Sequence, residues 1–231
     1  MSAGLGRPVP YILAAFCSIA LESSFVFDGF AQKPFFQSGK WLLSREFHEH
    51  YKWLLYTGPK FAIGIVGISV LFVFMASFFS GRLKCWRKPA LLVFLSVALV
   101  PLAVLAFKAV SGVYGPVELI PYGGSHPHIG LLERLWEPTT ATAGRSFPAG
   151  HASGGFALMA LHYLPLRRGV KLLLPVSGFL AGWGMGIYQM ARGEHFLSHT
   201  LTSMFLALAI ITFLARYLAR PDNFAHPAGK P

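Results

Sequence analysis

Lys108, His151 and His195 are the residues of this chain whose types and placement could do chemistry. A lysine holds an anion, and an imidazole serves near neutral pH as nucleophile, acid, base or metal ligand. Each of the three stands at the end of a long apolar stretch, where an ionisable group is costly and is a functional candidate by default. Each also has companions. Lys108 opens Lys-Ala-Val-Ser-Gly-Val-Tyr-Gly-Pro, ending at Pro116; Arg145 opens Arg-Ser-Phe-Pro-Ala-Gly-His, ending at His151; Gln189 leads through Arg192 and Glu194 to His195 and His199. The His195 and His199 pair has a spacing suited to zinc on one helical face, with a third ligand to come from His151 or Glu118. The chain lacks the His-Glu-x2-His arrangement of zinc peptidases, so the expectation is a site without metal or other cofactor.

The elements that must position these residues are membrane helices. Of 231 residues, 54% are hydrophobic and only 13% charged, against roughly a quarter charged in a soluble domain. The net charge of +11 comes from 20 Lys and Arg scattered between apolar runs. They form no basic stripe for nucleic acid and suit anionic lipid headgroups instead. Cys17 and Cys85 fall at different depths, so no disulfide is expected.

A spanning helix needs about 20 mostly apolar residues, and that length selects six segments, near 9 to 27, 59 to 80, 89 to 107, 151 to 166, 171 to 190 and 196 to 216. The first reads as a retained helix, because Glu22 interrupts it and no small-x-small cleavage site follows. Arg82, Lys84, Arg87 and Lys88, then Arg167, Arg168 and Lys171, then Arg216, Arg220 and Lys230 mark the cytoplasmic side, following the positive-inside rule. Both termini are then cytoplasmic, and three helices deliver Lys108, His151 and His195 to one outer face. Two long segments share that face. In 28 to 58, Trp41, Leu42, Phe47, Tyr51, Leu54 and Leu55 recur at spacings near three and four between charges, the pattern of an amphipathic interfacial helix. The segment 108 to 150 is rich in Gly, Pro and Thr, a composition of turns and irregular backbone. The polar tail 221 to 231 reads as frayed, and the whole as a single domain.

The three stretches together resemble the type 2 phosphatidic acid phosphatase superfamily, membrane lipid phosphatases related to vanadium haloperoxidases. The family pattern is Lys-x6-Arg-Pro, then Pro-Ser-Gly-His, then Ser-Arg-x5-His-x3-Asp, on one face of a six-helix bundle, and the resemblance covers roughly 59 to 216. It implies that His195 is the nucleophile and forms a phosphohistidine, and that His151 protonates the leaving group. Lys108 and the Gly150 backbone N–H would hold phosphate oxygens. The chain departs from the pattern at Gly115, Ala149, Tyr188, Gln189 and His199. Arg192, three residues beyond Gln189 on a continuing helix, and Arg145 stand near the lost guanidinium groups and are, with Gln189 itself, candidate phosphate ligands. His199 is a candidate orienting partner for His195, although an imidazole cannot stabilise an imidazolium as a carboxylate does.

The resulting expectation is an all-α, six-helix integral membrane phosphatase with an outward interfacial helix. It would act without metal on a lipid phosphomonoester or diphosphate at the outer leaflet, in a bacterial inner membrane with its site facing the periplasm or exterior. The alternatives are a lipid-to-lipid phosphotransferase and a non-catalytic lipid-phosphate binder that retains the fold.

Overall fold

The computed structural model describes residues 7–136 and 144–218; the tail expected to fray lies outside them. The first apolar stretch folds as two helices, α1 (Val9–Ser24) and α2 (Val26–Gln32), bent by 82°. The bend sits at Phe25, whose φ of 57° is unusual for a non-glycine residue. Its ring is pinned at 4.5 Å from His128 and 5.8 Å from Phe196. The buried residues of this arm are all polar, namely Ser18, Glu22, Asp28 and Gln32, while Leu13, Phe16, Val26 and Phe30 are exposed. That inversion is the one expected where lipid is the solvent and polar groups must be satisfied inside the protein.

A hairpin of β1 (Phe36–Gln37) and β2 (Lys40–Trp41) follows, turning through Ser38 and Gly39 at φ 49° and 74°, the left-handed pair that tight hairpins require. Ser44 then accepts from the Phe47 N–H at 3.1 Å and caps α3 (Arg45–Lys52). The amphipathic stretch was expected to be a separate interfacial helix. Instead α3 passes through a π-helical turn, Trp53–Thr57, into α4 (Gly58–Ala76). Pro59 lacks an N–H for an ordinary helical bond, and the wider turn, in which the Gly58 N–H reaches the Trp53 carbonyl, absorbs it without ending the helix.

Beyond a short 3-10 turn runs α5 (Arg87–Ser111), which ends at Gly112 with φ 66°. The segment that follows holds two 3-10 turns, Pro116–Glu118 and Ile120–Tyr122, and α6 (Leu131–Trp136), between stretches of irregular backbone. Next come α7 (Gly150–Ala157), which tightens into a 3-10 helix over Leu158–Tyr163, then α8 (Arg168–Ala191) and α9 (Leu197–Leu218).

Among the described residues, four stretches are long and apolar enough to cross a membrane: Arg45–Ala76, Gly81–Glu118, Arg168–Ala191 and Leu197–Leu218. The bent pair α1 and α2 makes a fifth if counted as one span. The segment expected at 151 to 166 is shorter than a full span and is the most enclosed, with Ala152 through Ala157 all buried. Small residues let it sink against α8. A Cβ on Gly155 would lie 2.4 Å from the Gly182 backbone nitrogen, and one on Gly182 would lie 2.2 Å from the Phe156 ring, so the two helices touch backbone to backbone. Phe156, Leu92, Val93, Val100, Ala207 and Ile211 surround this contact and form the main core between α5, α7, α8 and α9.

Candidate active site

The C-terminal ends of α5 and α8 and the N-terminal ends of α7 and α9 meet around the chemistry-bearing residues, and the way each helix starts or stops fixes them. Helix α8 ends at Arg192 with Gly193 at φ 76°. The Gly193 N–H bonds Met190 O at 3.0 Å and the Glu194 N–H bonds Gln189 O at 2.9 Å, the paired bonds of a glycine-terminated helix end. This reversal brings Glu194 and His195 back over the last turn of α8. Helix α9 then begins two residues later, and its cap comes from elsewhere in the chain. Asp28 accepts from the Ser198 N–H at 2.9 Å and from the Ser198 hydroxyl.

The segment leading to α7 is zipped to both neighbours. The Ser146 N–H bonds Val113 O at 2.9 Å, the Ser111 hydroxyl bonds Phe147 O at 2.7 Å, and the Ala149 N–H bonds His199 O at 3.1 Å. The Ser203 hydroxyl bonds Ala149 O at 2.9 Å. Gly150 opens α7, so its N–H has no acceptor within the helix. A Cβ there would meet nothing within 4 Å, which leaves space before it for a ligand.

These constraints gather Lys108, Arg145, His151, Gln189 and His195 around one cavity of about 350 Å³, with Tyr56, Glu118, Ser146 and Glu194 completing its walls. A neighbouring cleft of about 390 Å³ shares Lys108, Arg145 and His151 and adds Lys60 and Gly150, then runs past Pro101, Leu105 and Ala109. A third basin of about 540 Å³ is bordered by Lys40, Arg45, His48, Arg192 and Glu194.

Arg192 is tied down. Its Nη1 donates to Gln189 Oε1 at 2.8 Å and its Nη2 to Glu194 Oε1 at 3.2 Å. Gln189 Nε2 in turn lies 3.1 Å from His151 Nδ1, while His151 Nε2 is buried with no hydrogen-bond partner among the described residues. The Tyr56 ring leans on His151 at 3.9 Å between centroids, and the Lys60 ammonium lies 4.1 Å from the centre of the Tyr56 ring. His195 is 4% exposed, with Nδ1 3.1 Å from Ser146 Oγ. Burial pushes its imidazole well below the ordinary histidine value, and the neighbouring His199, Lys108 and His151 add to the effect. His195 is therefore a neutral imidazole at physiological pH.

His199 does not hydrogen-bond His195. It is fully buried behind the cavity, between Phe147 at 5.0 Å and Phe196 at 5.4 Å, and neither ring nitrogen has a partner among the described residues. Glu22 is likewise spent outside the cavity, accepting from the Leu131 N–H at 2.9 Å. Tyr188 hydrogen-bonds His48 on α3 at 2.6 Å. No group of three or more His, Cys, Asp or Glu side chains among the described residues is arranged to hold a metal ion.

Sequence reasoning passed over Ser146, Tyr56 and Lys60. Lys60 had a signal, since it stands at the start of the second apolar run, on the same membrane face as Lys108. Ser146 had none, because its partner nitrogen is 49 residues away.

The PAP2 superfamily model matches residues 89–222, which takes in all three motifs. No curated protein and no solved structure matches the chain.

Proposed function

Because the chain belongs to the PAP2 superfamily, a family of phosphatases acting on phosphoesters, we propose that it removes phosphate from a membrane lipid, cleaving a phosphomonoester or diphosphate through a phosphohistidine on His195. The observation that carries the lipid reading is the amphipathic cleft. Its inner end offers Lys60, Lys108, Arg145 and His151, and its other end is lined by Pro101, Leu105 and Ala109, with Leu105 63% exposed on the apolar flank of α5. A lipid can place its phosphate among the cations and leave its tail in the bilayer. The basic loops at the opposite end of the helices support a site at the outer leaflet with both termini cytoplasmic.

Phosphoryl transfer asks the protein for positioning and for positive or N–H donors around the phosphate oxygens. Lys108, Arg145 and the Gly150 N–H are placed to supply them, and Lys60 adds a further cation. A ring nitrogen of His195 attacks phosphorus, the bond from phosphorus to the lipid oxygen breaks, and His151, which must enter this step as the imidazolium, gives that oxygen a proton and is left as the neutral imidazole. Water then attacks the phosphorus of the phosphohistidine, returning a proton to His151 and releasing phosphate and His195.

The test is free-phosphate release by the purified protein in detergent against a panel of lipid phosphates, including phosphatidate, phosphatidylglycerol phosphate and a polyprenyl diphosphate. At least one substrate should be cleaved, and His195→Ala should lower kcat by about a thousandfold or more. No release by wild type and variant alike would leave a lipid-phosphate binder.

A further inference from the structure

We infer that Ser146 is the positioning residue for His195, holding its imidazole as the Nδ1–H tautomer so that the Nε2 lone pair is free for phosphorus. The use of that lone pair rests on the proposed phosphatase reading; the tautomer does not.

A serine hydroxyl has one proton to give and two lone pairs to accept with. Ser146 Oγ is in contact with the Glu194 carbonyl oxygen and lies 3.1 Å from His195 Nδ1. A carbonyl can only accept, so the hydroxyl proton goes to Glu194. The contact with His195 must then be supplied by the imidazole, with Nδ1–H donating to Ser146 Oγ. Both residues are buried, at 6% and 4% exposure, where an unmade bond is expensive. Two backbone bonds hold the ends of this relay, Ser146 N–H to Val113 O at 2.9 Å and Glu194 N–H to Gln189 O at 2.9 Å.

Gly115 shows that the relay is built in. A Cβ at that position would lie 2.6 Å from Glu194 O and 2.9 Å from Ser146 Oγ. The space that a side chain at 115 would need is occupied by the relay itself, and only glycine lets the chain pass. The absence of a guanidinium at 115 and the presence of a hydroxyl partner for His195 are one structural fact. His199, where a carboxylate would orient His195, makes no bond to it, and Ser146 does that work without bringing a negative charge.

The experiment reads the tautomer directly. Protein carrying 15N-labelled histidine is studied by NMR in detergent, with the His195 signals assigned by their loss in His195→Ala. Wild-type His195 should be protonated at Nδ1. Ser146→Ala and Gly115→Ala should move its population toward Nε2–H and lower kcat for phosphate release on the order of tenfold to a hundredfold, with KM little changed. Wild-type His195 protonated at Nε2 would overturn the assignment even if no variant folds, as would a Ser146→Ala protein with unchanged tautomer and kcat. A tautomer that depends on Ser146 in a protein releasing phosphate from no substrate would uphold the positioning role and reject the phosphatase reading.

Discussion

Arg192 can only donate hydrogen bonds, and that settles the state of a residue it does not touch. Because its Nη1 holds Gln189 Oε1 at 2.8 Å, Gln189 must turn its amide nitrogen toward His151 Nδ1 at 3.1 Å. Before substrate binds, His151 is then a neutral imidazole with a lone pair on Nδ1 and its proton on Nε2, the nitrogen left without a partner; the second proton that the acid step uses is taken up together with the anionic substrate. Arg192 was expected at the phosphate; its side chain is instead 13% exposed and bound to Gln189 and Glu194. Arg192→Ala should therefore lower kcat by about tenfold with little change in KM, whereas loss of a phosphate ligand would raise KM. Gln189→Glu places a carboxylate against Nδ1, favouring the protonated imidazole, so the alkaline limb of the pH profile of kcat/KM should move to higher pH. The acid limb has a different owner. Since burial depresses His195, the neutral nucleophile persists as pH falls, and activity should be lost only below the ordinary histidine range near pH 6.5.

At the scale of elements, the site depends on how helices end. The Gly193 reversal of α8 and the borrowed cap of α9 leave only a few residues between the two helices, and His195 is one of them. Asp28 supplies that cap from α2, an element outside the matched region. Asp28→Ala would strand the Ser198 N–H in a buried position, at a cost of about 1–3 kcal/mol. It should appear as a lower thermal unfolding temperature in detergent, with phosphate release falling in step because the entry to α9 frays. These couplings were half legible. Helix positions follow from the length of apolar runs, and the bend at Phe25 does not, because it is held by rings from distant segments.

For the whole molecule, solvent decides the arrangement. Polar faces of α1 and α2 turn inward onto α9 and the end of α8, with Ser18 and Thr202 hydroxyls 2.8 Å apart and Gln32 donating to Met190 O at 2.8 Å, while apolar side chains face out. The cleft past Pro101, Leu105 and Ala109 opens through that apolar surface. Ala109→Trp should fill it, raising KM for a long-chain lipid phosphate by roughly tenfold, the scale of about 1.4 kcal/mol of lost contact, while leaving a short-chain soluble phosphate nearly unaffected. Equal effects on both would argue against a lateral path.

The sequence by itself determined that the chain is helical and apolar, and that Lys108, His151 and His195 share one face. Helix period, apolar run length and motif spacing are local quantities, and they survive without coordinates. It also marked Gly115, Gln189 and His199 as departures from a family pattern. What replaces the missing groups was decided only by tertiary structure. A hydrogen bond between Ser146 and His195, or a chain from Arg192 through Gln189 to His151, joins residues whose sequence separation says nothing about distance. The same holds for α3, which runs on into α4 where amphipathic spacing suggested a separate element. Periodicity reports which face a residue occupies, whereas partners and orientation come from packing.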